Sequence, residues 1–315
     1  MADTYGFSKI DPERRNNRKP ISAATVKIYN ANLKKLHLHF NGDLKSRAFG
    51  WYNDTGAVMK YLEETYPNPN TRRNYVSTLY NFGHTISPVK YGIAQGKYLE
   101  EMNKLNADYS KFQETGKPLE SQAKNYVPQE EVLEMIKQMN IDAKKNPSRD
   151  IDQAVLLYKL YSKIPRRNDF GTLILNTNYP EGKEDNKNYT NLESLFINQY
   201  KTSATYQEQE LKLPKTLSSL FKSYVAKYDI QEGQPLFINT SGGALSPNGL
   251  TKLLQKYSQR YLKKNIGTTM LAKIFMSKYA GANEEIKEKA KQRGNSAGMM
   301  SGVYIKDFKA AGGSS

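Results

Sequence analysis

The sequence predicts a mainly α protein with a small antiparallel β-sheet, built as a helical N-terminal domain and a larger α+β domain. Three observations carry this. Apolar residues recur at three- and four-residue steps through most of the chain, short β-type runs gather only between about 173 and 213, and an aperiodic basic stretch at 108–125 parts two periodic regions. A length of 315 residues also suggests two domains at roughly 150 residues each.

Taken in order, residues 1–20 are polar and carry Arg14, Arg15, Arg18 and Lys19 without apolar periodicity, a basic arm that is either a solvated tail or a contact to a polyanion. From Ser22, the positions Val26, Tyr29, Leu33, Leu36 and Phe40 outline an amphipathic helix with Lys27, Lys34 and Lys35 on its outer side. A second helical pattern runs through Val58, Leu62 and Tyr66. A third opens at Asn70 or Thr71 with Arg72 and Arg73 in its first turn, and a fourth covers about Ile93 to Leu105. These make a helical domain over 21–107. The 108–125 stretch, with Lys111, Lys117, Pro118 and Lys124, is expected to be a linker.

The second domain spans 126–308. Pro128 is placed as its first helical residue, with Glu130 and Glu131 where carboxylates suit the helix dipole. A helix is expected at about 150–163, strands at 173–175, 192–200 and 206–213, and helices at 217–228, 247–261 behind Ser246, and 270–279. Two last helical stretches cover 283–291 and 296–308. The tail 309–315 ends Gly-Gly-Ser-Ser, the composition of an appended segment.

Composition narrows the chemistry. There are 47 Lys and Arg against 31 Asp and Glu, a net charge of +16 that calls for a polyanionic partner. No cysteine is present, which excludes a disulfide framework, thiol catalysis and Cys-based metal sites. The three histidines, His37, His39 and His84, lie in the first third, so chemistry further along must use Arg, Lys, Tyr, Asn and carboxylates. No run approaches the roughly 18 apolar residues of a membrane span, and Met1 to Ile10 lacks a secretory pattern. An intracellular location beside nucleic acid is expected. Cutting a phosphodiester without a metal needs a nucleophile, cations around the phosphorane and an acid for the leaving oxygen. Tyr304, Arg166 with Arg167, and Lys201 are candidates for those three tasks.

Their order and surroundings resemble the tyrosine recombinases (site-specific integrases) over nearly the whole chain. That family's pattern runs Arg, Lys, His-x-x-Arg, His or Trp, then Tyr, behind a small core-binding domain. Ile164-Pro165-Arg166-Arg167-Asn168-Asp169-Phe170 resembles the first-arginine segment, with Asp169 three residues after Arg166. Tyr200-Lys201-Thr202-Ser203 resembles the β-hairpin lysine segment, and Leu211-Lys212-Leu213-Pro214 the strand that returns from it. Thr268 to Lys273 resembles the His-x-x-Arg helix, and Arg293-Gly294-Asn295-Ser296 the Gly-His-Ser turn. Asn295 and Tyr304 are nine residues apart, the family's interval. The wording of the lysine and tyrosine segments is similar to recombinases of large DNA viruses and related mobile elements.

The resemblance implies a C-shaped two-domain clamp on double-stranded DNA, in which Tyr304 forms a 3′-phosphotyrosine. Arg166 would grip the non-bridging oxygens, with Arg167 the alternative one register on and otherwise a DNA contact. Lys201 would be the general acid, Thr269 and Asn295 hydrogen-bond donors, and Asp169 an orienting group. Arg72, Arg73, Lys34 and Lys35 are the expected DNA contacts of the helical domain. Four protomers would pair two duplexes through a four-way junction in the nucleus, nucleoid or viral factory, without metal, nucleotide, redox cofactor or small-molecule substrate. Three positions depart from the pattern: Thr269 replaces the usual His, Asn295 the second His or Trp, and Ala272 stands where the second arginine belongs. Losing that guanidinium forfeits roughly 3 kcal/mol of transition-state stabilisation, so the chain is expected to be a strongly impaired enzyme. Ala272 is read as an introduced substitution, with natural decay as the alternative. Lys273, about 100° further round the helix, is expected to substitute poorly. A type IB topoisomerase and a catalytically inert DNA-binding protein are the competing readings.

Overall fold

The computed structural model describes residues 21–277 except Arg47, Ser87, Thr115, Gly116 and Thr202, together with Lys289 and residues 292–294. The chain divides into two compact units between residues 114 and 115. The arm at 1–20, the tail at 309–315 and most of the two helical stretches expected after 282 lie outside the described residues.

The described residues of the first unit form four α-helices and a 3-10 turn at Gly50–Asn53. Helix α1 (Ala23–Asn41) starts behind Ser22, whose hydroxyl accepts from the Thr25 amide, and stops at Gly42, whose φ of 67° is left-handed. Helix α2 (Thr55–Thr65) is capped by Asp54. Asn68 caps α3 (Pro69–Gly83), with the proline in the first turn where its missing N–H costs nothing. Helix α4 (Pro88–Glu114) is far longer than the expected 93–105. Met102 and Leu105 still pack on the core, and the Arg73 guanidinium sits 4.4 Å over the Tyr109 ring, so side-chain contacts carry the helix past its apolar pattern. Leu33, Leu36, Tyr52, Val76, Phe82 and Tyr98 fill the centre of this unit.

The second unit opens with α5 (Glu120–Asn125), which occupies part of the expected linker. Pro128 is the N-cap of α6 (Gln129–Lys145), not its first helical residue. Helix α7 (Arg149–Lys163) begins behind Ser148 and is buried over most of its surface, through Ile151, Ala154, Leu157, Tyr158, Leu160 and Tyr161. An element so little exposed must be central, and α7 packs against α6, α9 (Lys215–Lys227), α10 (Pro247–Leu262) and α11 (Thr268–Met276).

Strands β1 (Leu173–Leu175), β2 (Asn188–Thr190), β3 (Ser194–Ile197) and β4 (Gln209–Lys212) form one sheet in that order. The β2–β3 and β3–β4 pairs are antiparallel, but β1 and β2 are parallel, with Leu173 opposite Asn188, so the sheet is mixed where the sequence suggested antiparallel pairing throughout. The Asn188–Thr190 segment shows no apolar β pattern because Asn188 and Thr190 are buried through hydrogen bonds. The chain from Asn176 to Lys187 is long enough to return to the start of β1, as a parallel pair requires. The other edge of β1 is closed by the 234–236 segment, through Leu175 N to Gln234 O at 3.0 Å and Leu236 N to Leu173 O at 2.8 Å. The expected strand at 206–213 begins only at Gln209, because Ser203–Tyr206 forms the helical turn α8. No helix among the described residues is long and apolar enough to cross a membrane.

Candidate active site

The site begins where α7 ends. Pro165 cannot continue a helix, and the chain turns through Arg166 and Arg167 into a 3-10 turn at Asn168–Thr172. This turn presses on the chain ahead of α10: a Cβ on Gly171 would lie 2.7 Å from the Leu245 carbonyl oxygen, so no larger residue fits without a backbone shift. Arg166 is fully buried. Its Nε donates to Asp169 Oδ2 at 3.0 Å, and its Nη1 to Gln209 Oε1 at 2.5 Å and to the Gln292 carbonyl at 2.6 Å. Its guanidinium carbon lies 4.8 Å from the centre of the Tyr200 ring. The buried Nη2 has no partner among the described residues, an unusual state for a charged donor.

Charge is concentrated around one carboxylate. Burial pushes Asp169 above the usual carboxylate range, opposed by Arg166, then Arg167 and Arg293. Burial likewise lowers Arg166, opposed chiefly by Asp169. Both shifts are desolvation effects. Asp169 is the counter-charge shared by three guanidinium groups.

Two buried side chains fix the arginine turn to its surroundings. Tyr161 of α7 donates to the Arg167 carbonyl at 2.7 Å. Asn188 of β2 donates to the carbonyls of Asp169 (3.3 Å) and Gln199 (3.1 Å), while its Oδ1 accepts from the amides of Asn198 (2.9 Å) and Gln199 (2.8 Å). One side chain thus ties the arginine turn to the β3–β4 connection. Lys201 stands in that connection, two residues after Gln199. Tyr200 closes the connection by donating to the Gln207 carbonyl at 2.8 Å.

Arg167 and Lys201 line a cavity of about 600 Å³ together with Gln255 of α10 and Thr268, Thr269 and Lys273 of α11. Its wall also includes Ser121, Gln122 and Asn125 of α5, in the stretch expected to be linker. The Asn125 side chain holds the chain ahead of α11 by accepting from the Asn265 amide at 2.8 Å. No Asp or Glu is among the described lining residues. Gly267, the N-cap of α11, lies so close to α10 that a Cβ would sit 2.9 Å from Thr251 Cγ2. Ala272 is fully buried and does not line the cavity, whereas Lys273, only 2% exposed, does. Thr269 and Lys273 are one turn apart and share a helix face.

The segment 292–294 is joined to the arginine turn by reciprocal contacts. Arg167 Nη2 lies 3.4 Å from the Gly294 carbonyl, and Arg293 Nη1 donates to the Pro165 carbonyl at 3.4 Å. Asn295 and Tyr304 lie outside the described residues. In the first unit Lys34 and Lys35 are exposed on α1, and Arg72 and Arg73 lie at the start of α3, Arg73 engaged with Tyr109. Sequence reasoning gave no role to Gln209, Asn188 or Arg293. The four-residue interval from Thr269 to Lys273 was the one available signal for Lys273.

No protein-family model and no curated relative matches the chain. Solved structures do. The XerH site-specific recombinase bound to difH substrate in a pre-cleavage complex aligns with a TM-score of 0.57 at 14% identity, over 91% of this chain and 78% of that one. Its post-cleavage complex with palindromic difH aligns with a TM-score of 0.56 at 15% identity, over 89% and 76%. The Tn1549 transposon integrase in complex with transposon right end DNA aligns with a TM-score of 0.56 at 11% identity, over 99% and 97%. At such identities the likeness is one of fold, and over its described length this chain has the two-part fold of the tyrosine recombinases.

Proposed function

We propose that the chain is a site-specific DNA recombinase or integrase that cleaves and rejoins strands through a 3′-phosphotyrosine, four protomers pairing two duplexes through a four-way junction. The observation that carries this reading is the cavity that gathers Arg167, Lys201, Thr269 and Lys273 from distant stretches of chain, with no carboxylate among its described lining residues. Such a void suits a phosphodiester, whose charge rises as phosphorus becomes pentacoordinate.

In this reading the Tyr304 phenol oxygen attacks phosphorus in line and releases its proton to solvent. The bond to the 5′ oxygen breaks, and Lys201 protonates that leaving oxygen. One phosphodiester replaces another, so rejoining by the reverse path needs no energy source. A tyrosine ordinarily titrates near 10, and the surrounding cations favour its phenolate during attack. Arg167 reaches a non-bridging oxygen from the cavity wall, and the buried Arg166 adds its positive charge nearby. Asp169 orients Arg166. Thr269 and Asn295 add hydrogen bonds, and the first unit contributes Lys34, Lys35, Arg72 and Arg73 to the DNA backbone. The net charge of +16 makes affinity fall steeply with salt. Ala272 slows cleavage by withholding the second guanidinium.

A denaturing gel of the Ala272→Arg chain with a pool of nicked, end-labelled duplexes of random sequence tests this. A covalent adduct is expected, absent in Tyr304→Phe and slowed about 10²–10⁴-fold in Lys201→Ala. A 5′-thio leaving group, which departs without a proton, should erase the Lys201 defect. A second reading, an inert DNA-binding protein on the same fold, is favoured by the buried Ala272. Absence of any Tyr304-dependent adduct would decide for it.

A further inference from the structure

We infer that Asn188 of β2 is a positioning residue for strand cleavage: it seats the base of the β3–β4 connection, and Lys201 with it, beside the arginine turn. The inference rests on the strand-cleavage reading and deepens it by naming what places the general acid. In that reading the bond from phosphorus to the 5′ oxygen breaks as the Tyr304 oxygen bonds to phosphorus, and a proton passes from the Lys201 ammonium to the 5′ oxygen. Such a transfer works only over hydrogen-bond distance. Whatever holds the Lys201 backbone in register with the arginines therefore bears on the rate.

The ladder between β3 and β4 ends at Ile197 opposite Gln209, so Lys201 lies beyond it, on the connection itself. Just past the ladder the amides of Asn198 and Gln199 both donate to one atom, Asn188 Oδ1, at 2.9 and 2.8 Å. Asn188 Nδ2 returns to the Gln199 carbonyl at 3.1 Å, and it reaches the arginine turn at the Asp169 carbonyl (3.3 Å) and Thr172 Oγ1 (3.1 Å). The residue is 1% exposed. A primary amide has two donor hydrogens and two lone pairs, and here they are spent on joining the two segments. Leucine would match the shape with none of these bonds, and aspartate would keep the acceptor while losing donors.

The arginine turn has further anchors of its own. Tyr161 donates to the Arg167 carbonyl at 2.7 Å, and Asn168 Nδ2 donates to the Pro247 carbonyl at 3.1 Å. The connection is closed upon itself by Tyr200, whose hydroxyl donates to the Gln207 carbonyl at 2.8 Å. Arg166 meets the connection through side chains, at the Tyr200 ring and at Gln209 Oε1, whereas Asn188 grips its backbone. Removing the Asn188 amide therefore leaves the turn anchored and loosens the leg of the connection that leads directly into Lys201.

The test takes the Ala272→Arg chain as parent and the nicked duplex it captures covalently from the random pool, made with either a 5′-oxygen or a 5′-thio scissile linkage. On oxygen, Asn188→Ala should slow adduct formation by about 10–10²-fold, the scale of a misplacement of about 1 Å. On sulfur, which leaves without a proton, that deficit should shrink below about threefold. Added to Lys201→Ala on oxygen, Asn188→Ala should cost less than about threefold more, because the group it positions is already gone. Asn188→Asp keeps the acceptor for both amides and should lose about tenfold on oxygen. It carries the comparison of linkages if circular dichroism shows Asn188→Ala unfolded. A residue needed only for folding would give the same loss on both linkages and add fully to Lys201→Ala, and either result overturns the inference. So would a folded variant within about threefold of the parent on oxygen, or a Lys201→Ala defect that sulfur does not erase. Failure of the parent to form a Tyr304-dependent adduct is a different result: it defeats the cleavage reading itself, and this inference with it.

Discussion

Replacing Asp169 with alanine should destabilise the second unit while leaving the first untouched. The carboxylate accepts from Arg166 Nε at 3.0 Å, and Arg166 is fully buried. Arg167 and Arg293 also act on this one carboxylate. Without it a buried guanidinium loses its counter-ion amid like charges, a loss of about 3–5 kcal/mol. In a unit of roughly 200 residues, at about 2–4 °C per kcal/mol, the melting midpoint should fall by about 6–20 °C. Asp169→Asn retains an acceptor oxygen and should cost less, about 1.5–3 kcal/mol. The double replacement Arg166→Met with Asp169→Leu removes both charges and should be more stable than Asp169→Ala alone. The chain has a single tryptophan, Trp51 in the first unit, so fluorescence excited at 295 nm follows that unit while circular dichroism at 222 nm follows both. The expected result is a dichroism transition shifted downward with an unmoved Trp51 transition. A shift worth less than 1 kcal/mol, or an equal shift of both signals, would refute the counter-charge argument.

Gly267→Ala should cost about 1–3 kcal/mol by overpacking, because the new methyl would meet Thr251 Cγ2 at 2.9 Å. Adding Thr251→Ser removes that methyl and should restore most of the melting temperature, whereas no recovery would place the strain elsewhere. Asp142 accepts from the Tyr261 hydroxyl at 2.6 Å, and this bond, followed by that from Gln138, holds its pKa below the ordinary carboxylate value. Its stabilising effect is therefore present above about pH 4, the unfolded value, and fades as pH falls through the folded one. Urea titrations from pH 6 to 2 should show a shallower acid decline in Tyr261→Phe, and identical profiles would dismiss the tie between α6 and α10.

Much of the fold was legible because it is local. The starts of α1 behind Ser22 and of α10 at Ser246–Pro247, and the periodicities of α1 and α10, all act within a few residues. The Arg166–Asp169 pair is local too, three residues apart at a helix end. What failed had a tertiary cause. The fourth helix runs past its apolar pattern because Arg73, thirty-six residues earlier in the chain, covers Tyr109. Strand β2 is polar, and only its distant partners, Leu173 on one side and Phe196 and Leu195 on the other, make it a strand. A sheet's direction depends on where the connecting chain goes, which residue preferences do not encode.

The sequence by itself determined the basic charge, the absence of thiol chemistry, the helical character of both units, and the order of the cationic segments that resemble a strand-exchange enzyme. Tertiary structure decided which of those cations share a space. It set Arg166 in the protein interior and Arg167 on the cavity wall, though they are adjacent in the chain, and it brought Lys273 rather than position 272 to the void. The reason is that a side chain's surroundings come from elements distant in sequence: the orientation of α11 is fixed by the close approach of Gly267 to Thr251 and by the hold of Asn125 on Asn265, contacts that no local pattern contains.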